Sequence, residues 1–351
     1  MSYINEGKAS VLVDGQFGST GKGLLAAYLA ARFENEVDIA TTNASANAGH
    51  WTKSKTNENW NFCCYHIPTF GVIQPDCLIY LNAGAIINVE LLLQEVEDLG
   101  IKHSRVIIHP NATVITKEDI EAENRDDSQT TKISSTRKGV GEALARKVKR
   151  TAEIARDTPE LRSYFNVAPI NLNQALMDKA RVSVEVPQGY SLSVNSMFYP
   201  YCTSRNCTVG QGIADADIHP RFLGNVAMSV RTHPIRVGSI PNLGYSGDVY
   251  PDQEETSFEK LGVPEELTTV TKRVRRIFTW SRQQFEDAIM SNRPSIVFLN
   301  FCNYVSEFEL AAIIRDIEDE SEKCLTGKPV LLFGWGPNIE DVTLSEGRRK
   351  N

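Results

Sequence analysis

The chain has no run of eighteen apolar residues, no Cys-x-x-Cys pair and no excess of basic residues. Each absence closes off a class. Without a long apolar run, nothing in the sequence reads as a helix that spans a bilayer. Met1-Ser2-Tyr3-Ile4-Asn5-Glu6 lacks the basic region and apolar core of a secretory leader. Seven cysteines, an odd number without paired spacing, argue for a reducing compartment rather than a disulfide framework. Cys202 and Cys207 stand at ligand-like spacing, but no matching Cys/His pair follows, so no zinc site is expected there. A formal charge of −7 disfavours a general nucleic-acid binder. What is present is a hydrophobic fraction of 41% across 351 residues. That is enough for a sizeable core, as one large α/β domain or two close lobes. A soluble, cytoplasmic protein without a nucleic-acid or membrane partner is expected.

Apolar runs alternate with helical patterns, which predicts an α/β fold with a mainly parallel central sheet flanked by helices. The expected strands are Val11–Asp14, Asp38–Thr41, Leu78–Leu81, Arg105–His109, Val182–Val186, Ile296–Phe301 and Val330–Phe333. Expected helices include an apolar one from Leu24 to Phe33, then Val89–Leu99, Arg282–Met290 and about Glu307 to Asp319. Ser281/Gln284 and Ser306/Glu309 read as capping boxes. Lys117–Asp127 and Arg146–Arg156 read as charged helices solvated on one face. The segment 238–260, rich in glycine and proline, suits a lid or an inserted crossing. There is no internal repeat or low-complexity linker, so residues 1–351 are expected to form a single domain with inserted loops.

The densest chemical signal is Gly15-Gln16-Phe17-Gly18-Ser19-Thr20-Gly21-Lys22-Gly23, between the apolar run 9–13 and the helical stretch from Leu24. A strand, a glycine-rich turn and a helix start form a phosphate cradle. Backbone N–H groups can approach the anion, the helix dipole favours it, and Lys22 adds charge. This is not a standard Walker A loop. Five residues separate Gly15 from Gly21, and Gly23 follows Lys22 where a Mg²⁺-holding hydroxyl would stand.

Other clusters carry weaker signals. Asn47-Ala48-Gly49-His50 lies after a strand's carboxyl end, where open α/β sheets bind ligands. His50 there is either an ordinary loop histidine or a donor to a transferring phosphoryl group. Ser134-Ser135-Thr136-Arg137-Lys138-Gly139 offers hydroxyls and cations suited to a phosphate monoester. For Arg146, Lys147 and Lys149 beyond it, a solvated helix face is expected. Gln188 in Pro187-Gln188-Gly189 can read a purine edge, being donor and acceptor at once. The run Thr268-Thr269-Val270-Thr271-Lys272-Arg273-Val274-Arg275-Arg276 is either a solvated basic strand or a dicarboxylate clamp.

Together these motifs resemble the adenylosuccinate synthetase family nearly along the whole chain. The family's first loop reads Gly-x-Gln-Trp-Gly-Asp-Glu-Gly-Lys-Gly. Gln16, Gly18 and Gly21-Lys22-Gly23 match it, Phe17 replaces Trp, and Ser19-Thr20 replaces the Asp-Glu pair whose aspartate is the family's base. Asn47–His50 matches Asn-Ala-Gly-His, with His50 as general acid and the Gly49 carbonyl on Mg²⁺. Gln188 falls in the segment resembling Gly-Ala-Gln-Gly, and Ile235-Arg236-Val237-Gly238 resembles Thr-Arg-Val-Gly.

The resemblance implies a P-loop-NTPase-like adenylosuccinate synthetase fold with Ser19, Lys22, His50 and Gln188 as the catalytic set. Nucleotide substrate would be held by Ser19, Asn47, Thr136, Gln188, Leu192, Thr203, Val237 and Gly238, and by Arg150 reaching across a homodimer. ATP would be held by Gly18, Thr20, Gly21, Lys22, Gly23, His50, Arg275, Asn300, Asn303, Gly336 and Pro337. L-Aspartate would fall to Thr268, Thr269, Val270, Thr271 and Arg273, and Mg²⁺ to Ser19 and Gly49. Val270 and Lys272 depart from the family's Thr-Thr-Gly-Arg loop.

Two departures bear on chemistry. The family's Lys-x-Asp, which selects GTP, is replaced around Phe301-Cys302-Asn303, so ATP or relaxed purine choice is expected. Serine at position 19 is a feature of a phage-type branch that makes 2-aminoadenylosuccinate derivatives from dGMP. The smaller residue makes room for an N2 amino group. The proton acceptor is then the substrate phosphate, a water or another carboxylate such as Asp14, unless Asp14 simply caps the turn. The reading is a ligase joining dGMP to L-aspartate at the expense of ATP. Its rivals are an IMP-using synthetase with a shifted base and a non-catalytic nucleotide-binding regulator.

Overall fold

The computed structural model describes residues 2–32, 36–125, 127–268 and 272–344. Its centre is a ten-stranded sheet. From edge to edge the order is Val342–Leu344, Val330–Gly334, Ile296–Asn300, Leu223–Arg231, Ala9–Asp14, Val182–Glu185, Ile39–Thr42, Leu78–Leu81, Val106–Ile108 and Asn166–Val167. All neighbours run parallel except the antiparallel pair Val330–Gly334 and Val342–Leu344. The chain starts mid-sheet, builds out to one edge, and returns to insert Val182–Glu185 beside the first strand. It then builds towards the other edge. Such a reversal leaves a crevice at the carboxyl ends of the central strands.

The central strands are buried on both faces, and their side chains alternate between two apolar layers. Val11, Val13, Met228, Val230, Val297 and Leu299 pack on one face, against Phe285, Ile289 and Ile313 of helices Arg282–Asn292 and Glu307–Cys324. Leu12, Ala227 and Phe298 face the other way, onto Leu25 and Leu29 of helix Lys22–Ala30.

Each of the seven expected strands lies within a residue or two of its observed counterpart. The nine-residue central strand Leu223–Arg231 was not foreseen. Leu-Gly-Asn-Val-Ala-Met-Ser-Val-Arg has only two β-branched residues and no alternation, so the strand is imposed by its neighbours on both sides. Ser306 and Glu309 form the full capping box. At Ser281 only half forms, because the Gln284 side chain donates to Ser191 Oγ (2.9 Å) instead of turning back.

The two charged helices differ from expectation. Helix Val140–Lys149 ends at Arg150, which is left-handed (φ 65°), instead of running on to 156. Arg146 is half-buried, forming a fork on Asp119 of helix Lys117–Asn124. Glu123, buried beside it, accepts from Gly139 N and Gly141 N at 2.7 Å each. These carboxylates fix the loop that carries Thr136. The segment 238–260 crosses back onto that region, where Tyr245 N donates to Lys132 O at 2.9 Å. Glu123→Ala strands two backbone donors and should cost about 1–3 kcal/mol in urea unfolding. A loss no greater than that of the exposed Glu121→Ala would contradict this assignment.

Candidate active site

The crevice is walled by the loops after six adjacent strands, and the first of these loops is organised from below. Asp14, the last residue of strand Ala9–Asp14, is 1% exposed. Its Oδ1 accepts from Gln16 N (2.8 Å) and Gly18 N (3.3 Å), and its Oδ2 from Thr20 Oγ1 (2.5 Å) and Thr20 N (3.4 Å). Lys22 Nζ lies 3.5 Å from Oδ2. With both oxygens occupied, Asp14 shapes the loop and is not available as a proton acceptor. Of the two roles expected for it, the turn-capping one is observed. Thr20, expected at the ATP phosphates, is turned inward, its hydroxyl also within 2.5 Å of Ser229 Oγ.

Two close approaches explain why glycine recurs here. Gly21 has φ 94°, and a Cβ there would come within 2.2 Å of Asn300 Nδ2. A Cβ on Gly189 would come within 2.3 Å of Gly18 N. The first brings the strand Ile296–Asn300 against the helix start, and the second brings the Gln188 loop against the phosphate loop. Lys22 Nζ donates to the Gln188 carbonyl, and Gln188 Nε2 donates to Asn47 Oδ1 (3.0 Å). Three separate sequence motifs thus meet at one point.

They line a cavity of about 490 Å³. Gly18, Ser19, Gly21, Lys22 and Gly23 of the first loop line it, with Asn47, Gly49, His50 and Gln188, and Thr136, Leu192, Val237, Thr268 and Arg275 are among its further lining residues. A second cavity of about 320 Å³ holds Asn300, Asn303, Gly336 and Pro337, all expected at the ATP site. Gly21, Trp51 and Phe301 border both cavities, so the two adjoin over the helix start. A helix N-terminus between two cavities, with a lysine beside it, suits a polyphosphate that spans them.

Other expected residues stand elsewhere. Thr203 does not line either cavity; its backbone N–H donates to Leu192 O at 2.8 Å. Arg150 is exposed beyond the helix Val140–Lys149. Arg273 directs its guanidinium to the carbonyls of Gly238 (2.9 Å), Ser134 (3.1 Å) and Ser135 (3.2 Å), while Lys272 and Arg275 line the main cavity. Gly238, expected at the nucleotide substrate, lines neither cavity and is held by Arg273. Thr269, Val270 and Thr271 lie outside the described residues.

Three contributors were missed. Trp51, 53% exposed at the junction of the cavities, directly follows the Asn47–His50 motif. Phe301 is held at φ 59° beside it. Glu266 is the one carboxylate among the described residues of the main wall. Burial would raise its pKa, but the Arg231 charge and hydrogen bonds hold it below the usual carboxylate range. It is therefore a weak proton acceptor. Its position two residues before the threonine-rich run was the available signal.

Among the described residues, no three His, Cys, Asp or Glu side chains cluster as a metal site. Ser19, which carries a hydroxyl, and Gly49, which offers a backbone carbonyl, both line the cavity. Such hard, neutral oxygens fit a Mg²⁺ ion held mainly by phosphate oxygens.

The adenylosuccinate synthetase family model matches residues 11–158 and 151–326. An N6-succino-2-amino-2'-deoxyadenylate synthase of Salmonella phage PMBT28 is 38% identical, over 96% of this chain and 97% of that protein. The enzyme of that name from Vibrio phage phiVC8 is also 38% identical, over 96% and 98%. Among solved structures, the Cyanophage S-2L succinoaminodeoxyadenylate synthetase bound to dGMP and dATP as an energy donor superposes with a TM-score of 0.84. It is 35% identical and covers 96% of this chain and 95% of that one. Plasmodium falciparum adenylosuccinate synthetase shares the fold, with a TM-score of 0.77 at 18% identity, over 96% and 99%.

His50 opens the strand His50–Thr52. Burial, with the Lys22 charge added, lowers its imidazole pKa from 6.5 to about 3. The free protein thus presents a neutral ring at pH 7. Because the unfolded chain binds this proton more readily, His50 lowers stability as pH falls from 6.5 towards 3. Proton NMR of the ring should show no titration between pH 5 and 8, and His50→Gln should remove its share of the acid destabilisation. A ring titrating near 6.5 would contradict the assigned environment.

Proposed function

The chain belongs to the adenylosuccinate synthetase family, and from that premise we propose that it joins dGMP to L-aspartate at the expense of ATP. The products are N6-succino-2-amino-2'-deoxyadenylate, ADP and phosphate, the first a precursor for 2-aminoadenine DNA. What carries the reading is the pair of adjoining cavities, with Gly21 between them and Lys22 and His50 beside the junction. The donor base takes the smaller cavity, its phosphates cross the helix start, and the purine monophosphate takes the larger.

In the first step purine O6 attacks the γ-phosphorus of ATP, and ADP leaves. In the second the aspartate amine attacks C6, and phosphate leaves with O6. Phosphoryl transfer needs positioning and electrostatic stabilisation more than covalent help. Lys22 supplies fixed charge. His50, neutral in the free protein, donates a hydrogen bond to the transferring group, and the polyphosphate's negative charge opposes the two effects that depress its pKa. Gln188 and Asn47 are locked to each other, so each presents its remaining amide atoms to the purine in one orientation. Mg²⁺ held by Ser19 and Gly49 would neutralise phosphate charge when bound.

Deprotonation at N1 makes O6 nucleophilic. With Asp14 occupied and Glu266 tied to Arg231, the proton leaves to water or to a phosphate. Ser19 in place of a carboxylate leaves room beside N1 for the N2 amino group. The chain acts as a homodimer, with exposed Arg150 reaching the nucleotide phosphate of the partner subunit, and folds as one domain over 1–351.

The reading requires phosphate release that depends on both dGMP and L-aspartate; release with IMP but not dGMP would overturn it. Ser19→Asp should lower the ratio of kcat/KM for dGMP to that for IMP, by about tenfold or more if the larger side chain takes the space of N2. An unchanged ratio would place the selector elsewhere. Asn303→Asp in the smaller cavity should raise use of GTP relative to ATP by a similar factor of about ten, by accepting from guanine N1–H and N2–H₂. Competition between the two triphosphates measures it.

A further inference from the structure

Behind the main cavity lies a guanidinium that does not line it but grips three residues that do. Arg231 ends the central strand Leu223–Arg231 and is 0% exposed. Its backbone is clasped by the Gln16 amide, which accepts from Arg231 N (3.0 Å) and donates to Arg231 O (3.1 Å). The guanidinium forks onto Glu266, with Nη1 3.0 Å from Oε2 and Nη2 donating to Oε1. Nη1 also donates to the Ser19 carbonyl at 3.2 Å, and the group stacks 3.7 Å over the Phe301 ring.

We infer that Arg231 is a positioning residue whose ion pair with Glu266 seats the loop that takes the dicarboxylic amino acid and fixes Ser19 relative to it. This rests on the reading above that the 268–273 loop takes aspartate. Glu266 is the foot of that loop. Its carbonyl accepts from Arg275 N at 2.9 Å, Leu267 bridges Val274, and Thr268 N donates to Arg273 O at 2.8 Å. The two arms therefore move with Glu266. Tyr304 adds a second hold, donating to Oε1 at 3.3 Å. Ser19 stands at φ 57°, a conformation sparsely populated by non-glycine residues, and the bond to its carbonyl favours that peptide orientation.

A purely stabilising role explains the cluster poorly. A buried ion pair is often no better for stability than apolar packing, and here Arg231 Nε is buried without a partner. A fork that reaches two walls of the cavity at once serves geometry. It holds the amine-bearing substrate and the phosphate loop in one frame, and misplacement by an ångström is enough to slow such a reaction strongly.

The test is steady-state kinetics of the full chain with dGMP, ATP and L-aspartate. Glu266→Gln keeps shape and loses charge. It should raise KM for L-aspartate about tenfold or more, while KM for dGMP and ATP stays within about twofold. Arg231→Lys should raise KM for L-aspartate and also lower kcat, because Ser19 is released. The double variant should be about as impaired as the worse single one, not the product of both. Glu266 is partly exposed and Gln is isosteric, so that variant decides the matter even if Arg231→Lys misfolds. Wild-type turnover with an unmoved aspartate KM in Glu266→Gln overturns this inference alone, as does an equal rise in all three KM values. A wild-type chain without aspartate-dependent turnover overturns the functional reading and this inference with it.

Discussion

Everything at the site depends on one buried carboxylate. Asp14 accepts hydrogen bonds from Gln16, Gly18 and Thr20, with the Lys22 ammonium 3.5 Å away. The phosphate loop is thereby tied from beneath, which leaves its upper surface for an anion. Gln16, oriented by that loop, clasps the end of the neighbouring strand, and Lys22 reaches the Gln188 carbonyl. One group thus sets the height of the loop, the direction of its lysine and the docking of two adjacent strands. The cost of burying a charge is met by the number of donors around it.

Function then follows from where the strands end. The loops after Ile39–Thr42, Val182–Glu185, Ala9–Asp14, Leu223–Arg231, Ile296–Asn300 and Val330–Gly334 all open on the same side. A short motif on each loop is enough to build a site with two adjoining cavities and a charged junction. The loop proposed to take the amino acid stands outside the main sheet, and its two arms meet at Leu267 and Val274 beside Glu266. It therefore needs a separate anchor, and Arg231 at the end of the central strand supplies one.

Much of this could be read from the sequence. Val182–Glu185 declares itself by alternating β-branched residues and Val330–Gly334 by an apolar run, each followed by turn residues. The glycines of the first loop declare a close approach before the partner, Asn300, is known. Leu223–Arg231 could not be read, because its strand state comes from being flanked on both sides rather than from its own composition. Asp14 was visible as a carboxylate at a strand end, but only the distances separate a turn-capping group from a base. Arg146 and Glu123 looked solvated because helix charges usually are, and their partners lie 27 and 16 or more residues away. Arg231 and Glu266, 35 residues apart, share no local pattern at all. Long-range ion pairs leave no periodic trace in the sequence.

The central claim is that this site activates purine O6 by phosphoryl transfer before the amine of aspartate displaces it. The direct measurement uses dGMP labelled with ¹⁸O at O6, together with ATP and L-aspartate. Mass analysis of the released phosphate should find the label there, because O6 departs bonded to the transferred phosphorus. Unlabelled phosphate alongside formation of the succino-nucleotide would contradict the account.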